Sequence, residues 1–198
     1  MPYAVLTGDI VDSTAMAPDK IDETMTQITS VAKLFGGRFA RRGGDGWQIA
    51  LPDPVMDLRC ALMVAAVTRR AGRDLATRIA LARDDQPMPD TPDLNAAHGA
   101  GFTASGRLLD RLERGPLMAH AEGGTTHATT ALAADIADGW TPAQARTVAE
   151  ALHPDAGPRS AIADALGVSR QAVDQALNAA RWPALTAALT AWEAATCP

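Results

Sequence analysis

Cysteine is nearly missing from this sequence: only Cys60 and Cys197 occur, the first in an apolar helical run and the second beside the C-terminus. No disulfide framework and no CxxC metal pair can be built from them. Aromatic residues are scarce too, at 4%, so a core must rest on Ala, Leu, Val, Ile and Met. The longest apolar run, around residues 60–67, falls far short of the ~20 residues a bilayer-spanning helix needs. The apolar stretch at residues 4–6 is interrupted by Asp9 and follows no basic segment, so no signal peptide is read and the expected location is the cytoplasm. Positive charge is also lacking. A formal charge of −5 and a pI of about 5.3 exclude a protein that coats nucleic acid through a broadly basic surface. What is present is the composition of an ordinary globular chain, 47% hydrophobic and 21% charged. Its 198 residues fit one domain or two small ones.

Periodicity orders the first part. Residues 3–7 form a short apolar run ending in Gly8-Asp9 and read as a buried strand. Across residues 12–35 the apolar positions Ile21, Met25, Ile28, Val31 and Phe35 recur at helical spacing, and Gly36-Gly37 ends the helix. Residues 38–42 and 47–51 flank Gly43-Gly44-Asp45-Gly46 and read as a hairpin. Pro54 opens a second helix, and a strand is expected at 75–82. Residues 84–98 read as a long loop, of a length that more often serves function than not. A third helix is expected over 99–113 and a strand over 116–121; a helix over 129–136 is less sharply marked. The order β-α-β-β-α-β-α-β predicts an α+β, ferredoxin-like sheet with helices on one face, occupying residues 1–138.

From 139 onward the pattern is purely helical. Thr141 caps a helix with Pro142 at its first position, residues 153–158 form a linker, and a second helix covers 160–166. Gly167-Val168-Ser169 is a tight turn leading into a third helix that runs to about Arg181. Pro183 opens a last helix with Leu185, Leu189 and Trp192 in register. A small residue at Ala163, a glycine turn and an apolar Val173 four residues after the Ser169 cap are the spacing of a helix-turn-helix. Residues 139–198 therefore read as a second, all-α domain. Its base-reading side chains would be Ser169, Arg170, Gln171, Asp174 and Gln175, with Asn178 further along. Four arginines face five carboxylates from 141 to 198, so few phosphate contacts can follow and a monomer should bind DNA weakly. The Leu185–Leu189–Trp192 face either supplies a dimer interface or packs on the other helices of this domain.

In the first part Asp9 ends a strand and Asp45 sits in the hairpin turn. If that strand and the hairpin are neighbours, both carboxylates converge at one edge and are able to hold divalent cations, which take one or two carboxylates plus substrate phosphates. Backbone N–H groups around Asp12, Ser13 and Thr14 would take phosphate oxygens. An Asp at a strand end and a Gly-Asp-Gly turn are equally ordinary structural devices. The four histidines, His98, His120, His127 and His153, are scattered with no metal-ligand spacing and receive no role.

Three segments carry a resemblance. Leu6-Thr7-Gly8-Asp9-Ile10-Val11-Asp12-Ser13-Thr14 resembles the first metal motif of class III nucleotidyl cyclases. Gly43-Gly44-Asp45-Gly46-Trp47 resembles the second, and Gly99-Ala100-Gly101-Phe102-Thr103-Ala104-Ser105-Gly106-Arg107-Leu108 resembles a later helix motif. The closer resemblance is to the SatD family, small bacterial proteins that begin T-G-D-I-V-x-S and often carry a C-terminal helix-turn-helix. The cyclase resemblance implies Mg²⁺ (or Mn²⁺) on Asp9 and Asp45 with the Ile10 carbonyl assisting. It implies Arg107 as the catalytic arginine that stabilises charge on the α-phosphate, and a homodimer that completes the site. The chain departs from the cyclase pattern where the base and sugar are read. Thr103 replaces the asparagine that positions the ribose, Ala96 falls near the acidic purine reader with Asn95 and His98 beside it, and Arg41 is the nearest candidate for the base-reading lysine. The expectation is a cytoplasmic regulator whose front domain binds a metal and a phosphorylated ligand and whose rear domain binds DNA. Two alternatives stay open: an active divergent cyclase or other metal-dependent phosphotransfer enzyme, and a structural or oligomerisation protein with relic sites.

Overall fold

A computed structural model describes residues 1–91, 93–112 and 115–195. Cys197 and Glu113 lie outside the described residues. The architecture is mixed α+β. Strands β1 (Tyr3–Ile10), β2 (Arg38–Arg42), β3 (Gly46–Leu51), β4 (Thr77–Asp84) and β5 (Met118–His120) form one sheet in the order β2-β3-β1-β4-β5. All neighbours are antiparallel except β4 and β5. The β2–β3 hairpin does lie beside β1, as its position in the sequence predicts.

Helices α1 (Pro18–Leu34) and α2 (Asp57–Ala71) cover the face formed by Ala4, Leu6 and Ile10 of β1, in one core with Ile28 and Leu62. Helix α3 (Ala100–Leu109) covers the opposite face, where Phe102 packs with Tyr3 and Val5. This corrects the expectation of helices on one face. The reason is local: α3 approaches the sheet closely through Gly101, where an added Cβ would come within 3.1 Å of the Asp84 side chain and 3.2 Å of Val5. Asp84 fixes the start of the helix by accepting hydrogen bonds from the Gly101 N–H (2.9 Å) and the Tyr3 hydroxyl (3.1 Å). Burial disfavours a charged Asp84, but the backbone N–H donors outweigh it and hold its carboxyl below the ordinary range.

The first helix is shorter than its apolar pattern. Residues 13–15 form a 3₁₀ turn after Asp12, which adopts a left-handed φ of 53°, and α1 begins only at Pro18. Strand β4 lies two residues further along than periodicity placed it, and α3 ends at Leu109 rather than near 113. The loop after β4 contains a 3₁₀ turn, Leu94–Ala96, whose leucine is buried. Helix α4 spans Gly124–Asp138, longer at both ends than the expected 129–136.

Helices α5 (Pro142–Leu152), α6 (Arg159–Leu166), α7 (Arg170–Ala179) and α8 (Trp182–Glu193) follow. Thr141 and Gln144 make a reciprocal capping box at α5. Gly167, at φ 64°, ends α6, and the Ser169 hydroxyl accepts from the Ala172 N–H (3.1 Å) to start α7. Val148 and Leu152 of α5 are fully buried and share a continuous core with α2. Each such side chain contributes roughly 1.5–3 kcal/mol, against about 0–1 kcal/mol for an exposed ion pair, so the apolar seam carries this contact. Leu185 and Leu189 are buried in that same core and Trp192 packs on it, so the α8 face offered above as a dimer interface is consumed within the chain. Among the described residues no helix is long and apolar enough to cross a membrane.

Candidate functional site

Antiparallel pairing of β1 with β3 puts Asp9 opposite Gly46, at the hairpin that carries Asp45. The Ile10 N–H donates to the Asp45 carbonyl at 3.2 Å, which ties the two segments together. Asp9 and Asp45 line one open cleft of about 410 Å³, with Arg42 from β2 on one side and Asp110 from the end of α3 on the other. Gly8 has a steric reason to be glycine. A Cβ there would overlap the buried Trp47 ring and the Arg78 carbonyl. Trp47 is held in turn by its Nε1–H donating to the Thr77 hydroxyl (3.0 Å), and that hydroxyl donates to the Asp9 carbonyl (2.7 Å).

The carboxylates are engaged. Asp9 faces its cross-strand partner Arg78 on β4, and both of its oxygens accept from that guanidinium, Oδ1 from Nε at 2.7 Å and Oδ2 from Nη2 at 2.6 Å. Asp45 Oδ2 accepts from the Ser13 hydroxyl. Among the described residues no group of three or more His, Cys, Asp or Glu side chains is placed to hold a metal ion. With both Asp9 oxygens in a guanidinium fork and one Asp45 oxygen on Ser13, the side chains as arranged do not fit a resident Mg²⁺ or Mn²⁺ with the Ile10 carbonyl assisting.

The expected phosphate segment is displaced. Ser13 and Thr14 stand on the 3₁₀ turn and not at the head of α1. They line a separate depression of about 390 Å³ with Arg41, on the other side of Asp45. Arg41 is committed there, its guanidinium donating to Asp22 (2.6 Å) and to the Gly44 carbonyl (2.8 Å). Arg107 is exposed on α3, four residues after Thr103 and three before Asp110, so it shares the flank of the helix that borders the clefts. No ion pair joins it to Asp110 among the described residues, and Glu113 lies outside them.

A second cleft of about 240 Å³ shares Arg42 with the first and brings together Asn95, His98 and Thr103. Beneath it a buried network joins three elements: Gln48 Nε2 donates to the Thr7 hydroxyl (3.0 Å), which lies 2.8 Å from the Ser105 hydroxyl. Arg42 and Asp110 were not singled out from sequence. A cation at the end of a hairpin strand and a helix-terminal aspartate become visible only once α3 is placed on this face.

Elsewhere, a polar centre also escaped the sequence. Asp57, fully buried at the start of α2, accepts from Arg83 Nε (2.8 Å) on β4, from Trp192 Nε1 (2.7 Å) on α8 and from its neighbour Leu58 N–H (2.6 Å). His120 Nε2 on β5 lies 3.2 Å from its Oδ2. The Glu122 N–H donates to His120 Nδ1 (3.2 Å), which puts the ring proton on Nε2, facing Asp57. Burial raises the cost of charging Asp57, but the bonds from His120 and Arg83 outweigh it and hold the carboxyl below its ordinary value. Burial pushes the Cys60 thiol one turn away well up, out of the reactive range.

On α7 the six expected DNA-facing residues separate. Arg170, Gln171, Gln175 and Asn178 are exposed. Ser169 caps the helix, and Asp174 accepts from Arg159 of α6. No family model matches this chain, and no curated protein matches it at a significant level.

Proposed function

We propose that this chain is a ligand-responsive regulator: the front cleft takes a phosphorylated ligand, and α6 and α7 form a helix-turn-helix that docks on DNA. One observation carries the reading. Arg42 has no ion-pair partner among the described residues and stands at the junction of two clefts, with Asp45 and the Arg107 flank of α3 around it. An unpaired guanidinium beside an open, polar-lined cavity is suited to a phosphate.

The order β2-β3-β1-β4, all antiparallel, supports a ferredoxin-like, cyclase-like assignment for the front part, with β5 added in parallel at one edge. The Gly167 turn and the Ser169 cap support the helix-turn-helix. Arg170, Gln171, Gln175 and Asn178, the exposed polar residues of α7, are donors and acceptors of the kind that read G and A edges. The acidic balance of this region calls for two copies on DNA, and a SatD-like homodimer remains part of the proposal.

The test is DNA selection from a random pool by the full chain, with and without a nucleoside triphosphate mixture, read alongside mass spectrometry of the nucleotides. Enrichment that shifts with nucleotide, and that vanishes in Arg42→Ala for the shift and in Gln171→Ala for the binding, is the expected result. A new nucleotide product lost in Asp45→Ala would instead make the chain an enzyme. Neither enrichment nor product would leave both sites as relics.

A further inference from the structure

We infer that Arg78 takes the place of a divalent cation on Asp9, at the edge of the front cleft: its guanidinium holds both oxygens of Asp9, so the cleft takes a phosphorylated ligand without a divalent metal. This rests on the reading that the cleft is a phosphate site, and it goes beyond that reading by fixing the chemistry of the bound species as metal-free.

Asp9 and Arg78 are direct cross-strand partners in β1 and β4, so their side chains leave the sheet on the same face, under α3. The guanidinium meets the carboxylate as a two-bond fork, 2.7 and 2.6 Å, the geometry in which such pairs are strongest. Both side chains are only about one-fifth exposed, 23% and 21%, so water screens the pair little. The backbone beneath is fixed as well. The Asp9 carbonyl is held by the Thr77 hydroxyl, that hydroxyl is held by the buried Trp47, and Trp47 fills the space that Gly8 leaves. Both Asp9 oxygens are therefore already engaged by charge-assisted bonds, and a cation placed on them would stand against the guanidinium.

On the other side of the cleft Asp45 has one oxygen on Ser13. With no phosphate bound, a single remaining carboxylate oxygen is a poor holder for a resident Mg²⁺, which takes one or two carboxylates and completes its shell with substrate phosphates and water. Arg42, which lines the cleft with Asp45 and Asp110, is the guanidinium placed to meet an anion there. Asp9 is then a positioning residue for Arg78.

The experiment uses the full chain and two probes, Mn²⁺ followed by electron paramagnetic resonance and inorganic pyrophosphate followed by calorimetry. The wild type is expected to leave the free Mn²⁺ signal unchanged and to bind pyrophosphate equally in EDTA and in Mg²⁺. Arg78→Gln frees both Asp9 oxygens and is expected to gain an Mn²⁺ site, which Asp9→Asn in the same background removes. If Arg78→Gln does not fold, Arg78→Lys, with a single contact in place of a fork, is expected to show a weaker gain. Mn²⁺ binding by the wild type that Asp9→Asn abolishes, or pyrophosphate binding that needs Mg²⁺, would overturn the inference while leaving the phosphate reading in place. No pyrophosphate binding under either condition would remove the phosphate reading, and the Mn²⁺ arm alone would then decide whether Arg78 closes the metal position.

Discussion

Two acidic centres in this molecule use the same chemistry to different ends. At Asp57 a carboxylate is fully buried and the bonds it accepts come from four parts of the chain, α2, β4, β5 and α8. At Asp9 and Asp45 the carboxylates are half-buried, each meets only one side-chain donor type, and the bonds leave room for an open cleft. Satisfaction from all sides makes a rivet, because removing the charge strands several donors at once. Satisfaction from one side makes a site, because one face stays available to solute. Desolvation sets the difference: an interior charge must be fully compensated, whereas one at a cleft is compensated in part by water.

The largest expected break in this comparison is Asp57→Ala. It leaves Arg83, His120 and Trp192 without their acceptor and is expected to destabilise the chain by about 3–5 kcal/mol, read by urea unfolding. The same centre gives a pH dependence. Asp57 titrates below its unfolded value, so its contribution is complete above about pH 4 and is lost as pH falls through the lowered native value. An acid unfolding curve should therefore lose its steepest segment in Asp57→Asn. Next comes Gly8→Ala, which drives a methyl group into Trp47 and should cost about 1–3 kcal/mol while also displacing Asp9; thermal melting and pyrophosphate binding should both suffer. By contrast, Asp45→Asn should change stability by less than about 0.5 kcal/mol and yet alter pyrophosphate affinity. If Asp45→Asn proved as destabilising as Asp57→Ala, the distinction between rivet and site would collapse. A comparably small effect is expected for Arg159→Ala on the half-exposed pair with Asp174, about 0.2–0.5 kcal/mol, with α7 still folded by circular dichroism.

Which of these features could be read from the sequence follows from how far apart their parts lie. The hairpin at 43–46, the cap at Thr141 and the turn at Gly167 are written in adjacent residues, and each stands where its local signal put it. The convergence of Asp9 and Asp45 needed only the pairing of β1 with the hairpin. Arg78 is different. No local signal marks it, because the β1–β4 register that aims it at Asp9 joins residues 69 apart. The side of the sheet taken by α3 was hidden in the same way, since it turns on the space left by Gly101. His120 shows the limit most plainly. Nothing near it in sequence hints at a partner, because that partner is 63 residues away.

Helix α8 bears on how the molecule is made. Trp192 bonds Asp57 across 135 positions, and Glu193 meets Arg59 in a two-bond ion pair across 134. During synthesis the α2 face therefore waits, with Asp57 short of a donor and an apolar seam uncovered, until Trp192 and Glu193 have emerged. Closing so long a loop comes late, after local helices and the hairpin have formed. A fragment ending at residue 138 should accordingly be an aggregation-prone intermediate and not a free-standing domain. The sheet that carries the cleft and the helices proposed to meet DNA would then reach the native state in a single cooperative step.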